Sequence, residues 1–191
     1  MGRAFWLRLV CTLPLLMASA CSMYINAPKI ASSNADPSFA GEIRSIAILS
    51  NVADPGRGPG FAESLLRGYQ EAAARCNVSV TVIEAGVAGA QATNQSPGQV
   101  DAVLAVLRTS VLQQTTSVGG VQGRPIAVEA NYQVTLSERA SRREVWKAEL
   151  NVSYPYAYGP RAAEAGDIAD VIFRRLAQDG ILRNCSFPPK R

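Results

Sequence analysis

The chain has 191 residues, a formal net charge of +4, 48% hydrophobic residues and no histidine. The missing histidine removes the commonest general base and the commonest metal ligand, and no cysteine pair has the CxxC spacing of a zinc or redox motif. The charge is too small to indicate nucleic-acid binding. We therefore expect a protein that is not an enzyme and that holds no metal, cofactor or nucleic acid.

The first 20 residues have the order of a secretory signal peptide. Arg3 and Arg8 form a basic start, an apolar stretch follows, and small residues at 18–20 come directly before Cys21. The apolar stretch is shorter than the roughly 20 residues that a membrane-spanning helix needs. Residues 18–21 resemble the lipobox of bacterial lipoproteins, although Ala18 stands where leucine is commonest in that motif.

The lipobox resemblance implies that the chain is cut before Cys21 and that the Cys21 thiol is acylated. In lipoproteins an aspartate after this cysteine favours retention in the inner membrane. Ser22 therefore implies transfer to the outer membrane, with the protein on its periplasmic face. An ordinary secretory signal that contains a cysteine is the alternative interpretation.

Three regions follow the signal peptide of residues 1–20. Residues 21–42 contain proline, serine, asparagine and glycine with little periodicity, which predicts a flexible tether. A single α+β domain is predicted over residues 43–185. Residues 186–191 are predicted to form a C-terminal tail.

The first half of the domain begins with a strand at residues 43–50, where β-branched residues are frequent. A glycine-rich loop ends at Gly60, and apolar residues at helical spacing predict a helix over residues 61–75. A second strand follows at residues 78–83. Residues 85–99 are rich in Gly, Ala, Gln and Asn, which predicts a mobile loop.

A long hairpin dominates the second half. Residues 100–112 predict a strand that is central in the sheet at its first end, where both faces are apolar, and that turns polar past Arg108, while Gly119-Gly120 mark the hairpin tip. The return strand alternates apolar and polar residues, a further strand contains Trp146, and a last helix lies between Pro160 and Gly180. The order β-α-β-β-β-β-α predicts a two-layer α+β sandwich, with a mainly antiparallel sheet and two helices on one face.

Four cysteines are present, of which Cys11 leaves with the signal peptide and Cys21 is acylated. Cys76 and Cys185 remain, and in an oxidising compartment such a pair predicts one disulfide. Two buried free thiols are the alternative. Each cysteine follows the end of a predicted helix, so the bridge requires that these two helix ends meet.

One candidate ligand site is the loop with glycines at Gly56, Gly58 and Gly60, which lies between a strand and a helix. Phosphate-binding loops occur at such places. The spacing differs from dinucleotide and P-loop motifs. An exposed turn is therefore the default interpretation, and small-ligand binding is the alternative.

Two surfaces are candidates for binding a protein partner. The first is the hairpin tip, residues 113–125, where Gln113, Gln114 and Arg124 are predicted at an exposed end. A turn without any contact is the alternative. The second is an aromatic cluster after the last strand, since tyrosine is enriched at recognition surfaces and also caps sheet edges. This cluster consists of Tyr154, Tyr156 and Tyr158.

Three features of the second half resemble a group of small envelope lipoproteins. They are the strand at residues 101–107 leading into a glycine-tipped hairpin, the strands containing residues 132–136 and 145–148, and the helix ending at residues 176–181. The layout is similar to the lipopolysaccharide-assembly lipoproteins of the LptE family. It is also similar to α/β modules of penicillin-binding-protein activator and curli-secretion lipoproteins.

This resemblance implies the α/β fold and an accessory role in envelope assembly. The partners it implies are an outer-membrane barrel, as in lipopolysaccharide transport, or a periplasmic synthase or secretion component. Lipopolysaccharide is a further candidate ligand. The outer membrane itself is contacted through the N-terminal lipid.

Lipidation gives the first testable prediction. Replacing the acylated thiol in Cys21→Ser is expected to abolish acyl labelling and to release the protein from the membrane fraction, because a hydroxyl cannot form the thioether. Radiolabelled palmitate incorporation and envelope fractionation measure both effects. Continued outer-membrane fractionation of the variant would show that the anchor lies elsewhere.

Overall fold

The computed structural model describes residues 27–52, 60–84, 100–118, 121–155 and 162–188. They form two helices and six strands, in the order β-β-α-β-β-β-β-α. The helices are α1 (Phe61–Ala74) and α2 (Ala162–Gln178). The strands are β1 (Lys29–Ala35), β2 (Ser45–Ser50), β3 (Ser79–Glu84), β4 (Ala102–Val118), β5 (Val121–Glu138) and β6 (Glu144–Pro155).

The strands form one mixed sheet in the order β1-β6-β5-β4-β2-β3. β2 is parallel to β3 and to β4, and the pairs β4–β5, β5–β6 and β1–β6 are antiparallel. A parallel pair needs a crossover connection, which α1 supplies between β2 and β3. The predicted two-layer α+β sandwich with a mainly antiparallel sheet is confirmed.

Strand β1 differs from the prediction of a flexible tether over residues 21–42. It pairs with β6 from Lys29 opposite Asn151 to Ala35 opposite Trp146, with a register shift after Ile30. β1 is an edge strand whose side chains are exposed or half-buried, with Ile30 and Ala35 packed against the edge of the core. Because the register shift also interrupts the alternation of faces, the sequence lacks the period-two pattern that indicates a strand.

The helices cover one face of the sheet, and the core lies between the two layers. The apolar residues that alternate along β5 from Val128 to Leu136 and along β6 from Trp146 to Val152 are buried, as is the apolar face of α2. On the opposite face, β5 and β6 carry polar residues such as Thr135 and Lys147. The sheet residues buried against the helices include Ile46, Ile48, Leu104, Val106, Tyr132, Val134, Leu136, Trp146 and Leu150.

The two helices run in the same direction. β2 runs parallel to β4, and two antiparallel pairs, β4–β5 and β5–β6, link β4 to β6, so β2 and β6 have the same direction. α1 follows β2 and α2 follows β6, and each helix returns across the same face of the sheet. Residues later in one helix therefore contact residues later in the other. Gly68 packs against Gly166, and farther along both helices Arg75 forms an ion pair of 2.6 Å with Asp170. Neither helix, within the part of the chain that the structure describes, has the length and apolar character required to cross a membrane.

This parallel arrangement brings the ends of the two helices together, as the predicted bridge requires. A disulfide joins Cys76 to Cys185 across a sequence separation of 109 residues. In the chain-entropy model a loop of about 100 residues gives a stabilisation of about 4.7 kcal/mol, since the cross-link restricts the unfolded chain.

The residues that follow Cys185 also belong to the folded domain, which differs from the predicted tail over 186–191. The backbone N–H of Ser186 donates to the carbonyl of Arg75 at 2.8 Å. The Phe187 ring lies under the guanidinium of Arg174, 4.8 Å from its centroid, and Arg174 donates to the Pro188 carbonyl at 2.8 Å. Residues 186–188 are thus held by backbone and cation–π contacts, which hydrophobic periodicity does not reveal.

Asp179 ties β1, β6 and the end of α2 together. One of its carboxylate oxygens accepts hydrogen bonds from the Ser33 hydroxyl at 2.6 Å and from the Trp146 indole N–H at 2.8 Å. Arg175, one turn earlier, pairs with the same carboxylate at 3.1 Å. Burial raises the pKa of Asp179, but these donors and the Arg175 charge lower it more, so the net pKa is lowered.

The close approach of the helices gives a prediction on stability. A Cβ atom at Gly68 would lie 2.8 Å from the Gly166 Cα and 3.3 Å from the Ala169 Cβ. Gly68→Ala is therefore expected to lower the free energy of unfolding by about 1–2 kcal/mol, because overpacking outweighs the gain in helix propensity. Chemical denaturation measures this change.

Gly166→Ala is the matched control, since a Cβ there meets no heavy atom within 4 Å. It is expected to leave stability unchanged or to raise it by up to about 1 kcal/mol. Equal stabilities of the two variants would contradict the close helix packing.

The Asp179 contacts give a prediction on pH dependence. Asp179→Asn is expected to lower the free energy of unfolding at pH 7 by about 1–2 kcal/mol, because charge-assisted hydrogen bonds become neutral ones. The lowered pKa means that the carboxylate stabilises the fold above the ordinary aspartate range of about 4, and that this contribution is lost as the pH falls below it.

Thermal unfolding of both proteins between pH 7 and pH 3 measures this effect. The gap in melting temperature between the natural chain and Asp179→Asn is expected to narrow as the pH falls toward 3. Asp167→Asn, at an exposed position on the same helix, is the control and is expected to lower the melting temperature at pH 7 by less than Asp179→Asn does. A gap for Asp179→Asn that does not depend on pH would contradict the assignment.

Candidate partner-binding surface

β4 and β5 extend beyond their neighbours in the sheet. They pair from Ala102 opposite Glu138 as far as Val118 opposite Val121. On one side, β6 follows β5 only to the Ala127–Pro155 pair. On the other side, β2 pairs with β4 only to the Ser50–Val106 pair. We call the projecting parts, Thr109–Val118 of β4 and Val121–Ile126 of β5, the hairpin arm.

The base of the hairpin arm is held by specific hydrogen bonds. The Asn51 backbone N–H donates to the Val106 carbonyl at 3.3 Å, and the Arg108 N–H donates to the Asn51 side-chain oxygen at 2.9 Å. The Thr109 hydroxyl donates to the Asn131 carbonyl at 3.1 Å, and the Asn131 side-chain amide donates to the Ser110 hydroxyl at 2.9 Å. These bonds attach the arm firmly to the core sheet.

Three large apolar side chains are exposed in or beside the arm. Leu107 is 40%, Val111 43% and Leu112 57% exposed. A register shift between Arg108 and Ser110 places Val111 opposite the buried Ala130, on the helix side, and Leu112 opposite Glu129, on the other side. Because cross-strand partners share a face, the arm presents an apolar side chain on each face.

Past Val106, the edge of β4 that faces away from β5 has no strand partner among the described residues. Such edges are normally protected by charges, prolines or bulges. The segment from Thr109 to Val128 contains Arg124 as its one charged residue, while β4 has three register shifts from Arg108 onward. These irregularities oppose the addition of a further regular strand at this edge.

The structure places some of the predicted partner-binding residues together. Gln113 and Tyr154 both pair with Val128 of β5, so they lie in one row across three strands. Gln113 is exposed and Tyr154 is half-buried against the core. Gln114 lies opposite Ala127 by its backbone. The side chains of Gln114 and Arg124, and the whole of Tyr156 and Tyr158, lie outside the described residues, as does Cys21.

The exposure of Val111 and Leu112 was not predicted from the sequence. The strand was expected to be central only at its first end, where residues 102–107 have two apolar faces. Leu104 and Val106, where β2 is adjacent, are buried as expected, and β2 ends opposite Val106. The polar residues 108–110, which interrupt the apolar run, were the available signal of this change.

Two further features near the start of the domain are the glycine loop and Asp101. Gly60 has a φ of 83° and precedes α1 without a side-chain cap, and Gly56 and Gly58 lie outside the described residues. Asp101 accepts hydrogen bonds from the backbone N–H groups of Arg44 at 2.8 Å and Ser45 at 2.9 Å. The Arg44 N–H is the main reason why the pKa of Asp101 is lowered. This carboxylate fastens the start of β2 to the residue before β4.

No protein-family model and no curated protein matches the chain. Among solved structures it is similar to two crystal forms of a PelC dodecamer from Paraburkholderia phytofirmans, at 13% and 14% identity, with TM-scores of 0.44 and 0.43. Each match covers 76% of this chain and 95% of PelC. A lipoprotein from Neisseria meningitidis is similar at 13% identity and a TM-score of 0.37, covering 71% and 99% of the two chains. At these values the likenesses assign no activity or partner to this chain.

Proposed function

We propose that the protein is a non-enzymatic lipoprotein of the outer membrane that faces the periplasm and binds a protein partner through the hairpin arm. The observation that carries this proposal is the exposure of Val111 and Leu112 on opposite faces of the arm. A chain without histidine has no residue for a conventional serine or cysteine catalytic triad, which favours binding over catalysis.

The apolar side chains are suitable anchors for a binding site. Complete burial of a Val or Leu side chain contributes roughly 1.5–3 kcal/mol. Because Val111 and Leu112 are about half exposed, their burial by a partner contributes about half of that amount each. Polar neighbours such as Gln113 and Thr115, which are exposed, then supply the rim of such an interface.

The role that we propose is an accessory one in envelope assembly. By its resemblance to the LptE family, the partner is a component of the outer-membrane translocon for lipopolysaccharide. The resemblance to synthase activators and to secretion lipoproteins supplies the alternative partner. In each case the sandwich of the sheet and two helices acts as a rigid base and the arm reaches the partner.

A pair of variants tests the arm as the binding surface. Leu112→Glu is expected to lower recovery of the envelope partner by tenfold or more in co-purification from solubilised membranes, because a carboxylate replaces an apolar anchor. The free energy of unfolding is expected to change by less than about 0.5 kcal/mol, since the position is exposed.

Leu66→Glu on α1 is the control, as Leu66 is 39% exposed and lies far from the arm in the sequence. It adds the same charge and is expected to leave partner recovery intact. If Leu112→Glu retains its partner, the binding surface is not the arm, and the row that contains Tyr154 is the next surface to test.

A further inference from the structure

The directions of the strands relate the hairpin arm to the N-terminus. A single row of paired residues crosses the sheet from Lys29 to Asn151, Asn131 and Ser110. β1 begins at this row and runs toward Trp146, away from the arm. The chain therefore enters β1 from the side of the sheet on which the arm projects.

On that side of the row, the chain from Lys29 back to Cys21 and the part of β4 from Ser110 to Val118 have about the same length. Cys21 precedes Lys29 by eight residues, so even a fully extended chain keeps Cys21 within about 28 Å of the row. Val118 lies eight residues beyond Ser110 along β4, which places the end of the arm about 27 Å past the row. The greatest length of chain available between Lys29 and the lipid attachment point is thus about equal to the reach of the arm.

We propose that the end of the hairpin arm contacts the surface of the bilayer that holds the Cys21 lipid. This inference rests on the lipid anchor of the proposed function. It depends on β1, because a flexible tether over residues 21–42 would have a contour length of more than about 70 Å and would leave the orientation of the domain free.

The chemistry of the arm suits a lipid surface. Acidic residues, which anionic headgroups repel, are absent from the sequence between Thr109 and Val128, and Arg124 adds a positive charge. The exposed Gln113 and Thr115 are uncharged, so they can approach headgroups without transferring a charge from water.

The opposite end of the sheet is the rival contact surface. The turn between β5 and β6 contains three arginines, at positions 139, 142 and 143. Acidic residues accompany them, and Arg143 pairs with Asp36 at 2.9 Å. This end therefore carries mixed charge, and β1 runs toward it from the side of the anchor, which places it farthest from the bilayer.

Site-specific quenching distinguishes the two ends. Thr115→Cys in the arm and Ser141→Cys in the opposite turn, both at exposed positions, are labelled with an environment-sensitive fluorophore while the Cys76–Cys185 disulfide is kept intact. The lipidated proteins are reconstituted into vesicles of phosphatidylethanolamine and phosphatidylglycerol that contain headgroup nitroxide lipids. The label at residue 115 is expected to be quenched at least twofold, and the label at residue 141 is expected to remain unquenched.

The result that overturns the inference is an unquenched label at residue 115, or stronger quenching at residue 141. The vesicles contain no protein partner, so this readout is independent of the co-purification test. A chain that binds its partner through Leu112 but shows no quenching at residue 115 retains the proposed function and refutes the membrane contact. Failure of the chain to associate with the vesicles at all refutes the anchor on which both depend.

Discussion

The Asp179 carboxylate is the contact on which the arrangement of the structure depends most directly. It joins Ser33 of β1, Trp146 of β6 and Arg175 of α2, three parts of the chain that are distant in sequence. Trp146 is almost fully buried, and its indole N–H has this carboxylate as its acceptor. A buried donor without an acceptor costs free energy, so the packing of Trp146 and the position of β1 are coupled through one side chain.

The position of β1 in turn controls how the domain sits relative to its N-terminus. β1 packs Ile30 and Ala35 against the edge of the core, and it is also held by its pairing with β6 and by the contact of Ser33 with Asp179. Its effect is geometric, because pairing turns a segment of free linker into a fixed strand. The length of chain between Cys21 and the first strand of the sheet is then eight residues.

The core and the hairpin arm have separate roles in this architecture. The helices, held by the Gly68–Gly166 contact and the disulfide, cover the sheet where β2, β4, β5 and β6 lie side by side. Beyond the end of β2, β4 is the edge strand beside β5 and β6, with Val111 and Leu112 exposed, and only past the Ala127–Pro155 pair does the arm consist of β4 and β5 alone. An isolated two-stranded ribbon is marginally stable, so the hydrogen bonds from Asn51 and Asn131 at its base are what attach it to a stable sheet.

Local patterns in the sequence determined the helices, five of the six strands, their inward faces and the pair of cysteines, because periodicity and turn residues act over short distances. They did not reveal β1, the docking of Phe187 or the exposure of Leu112. An edge strand is held by backbone bonds to a distant strand, a cation–π contact depends on helix packing, and burial at the end of a strand depends on where its neighbour stops. Only the tertiary structure decided these features, since each is a relation between segments that are far apart in the chain.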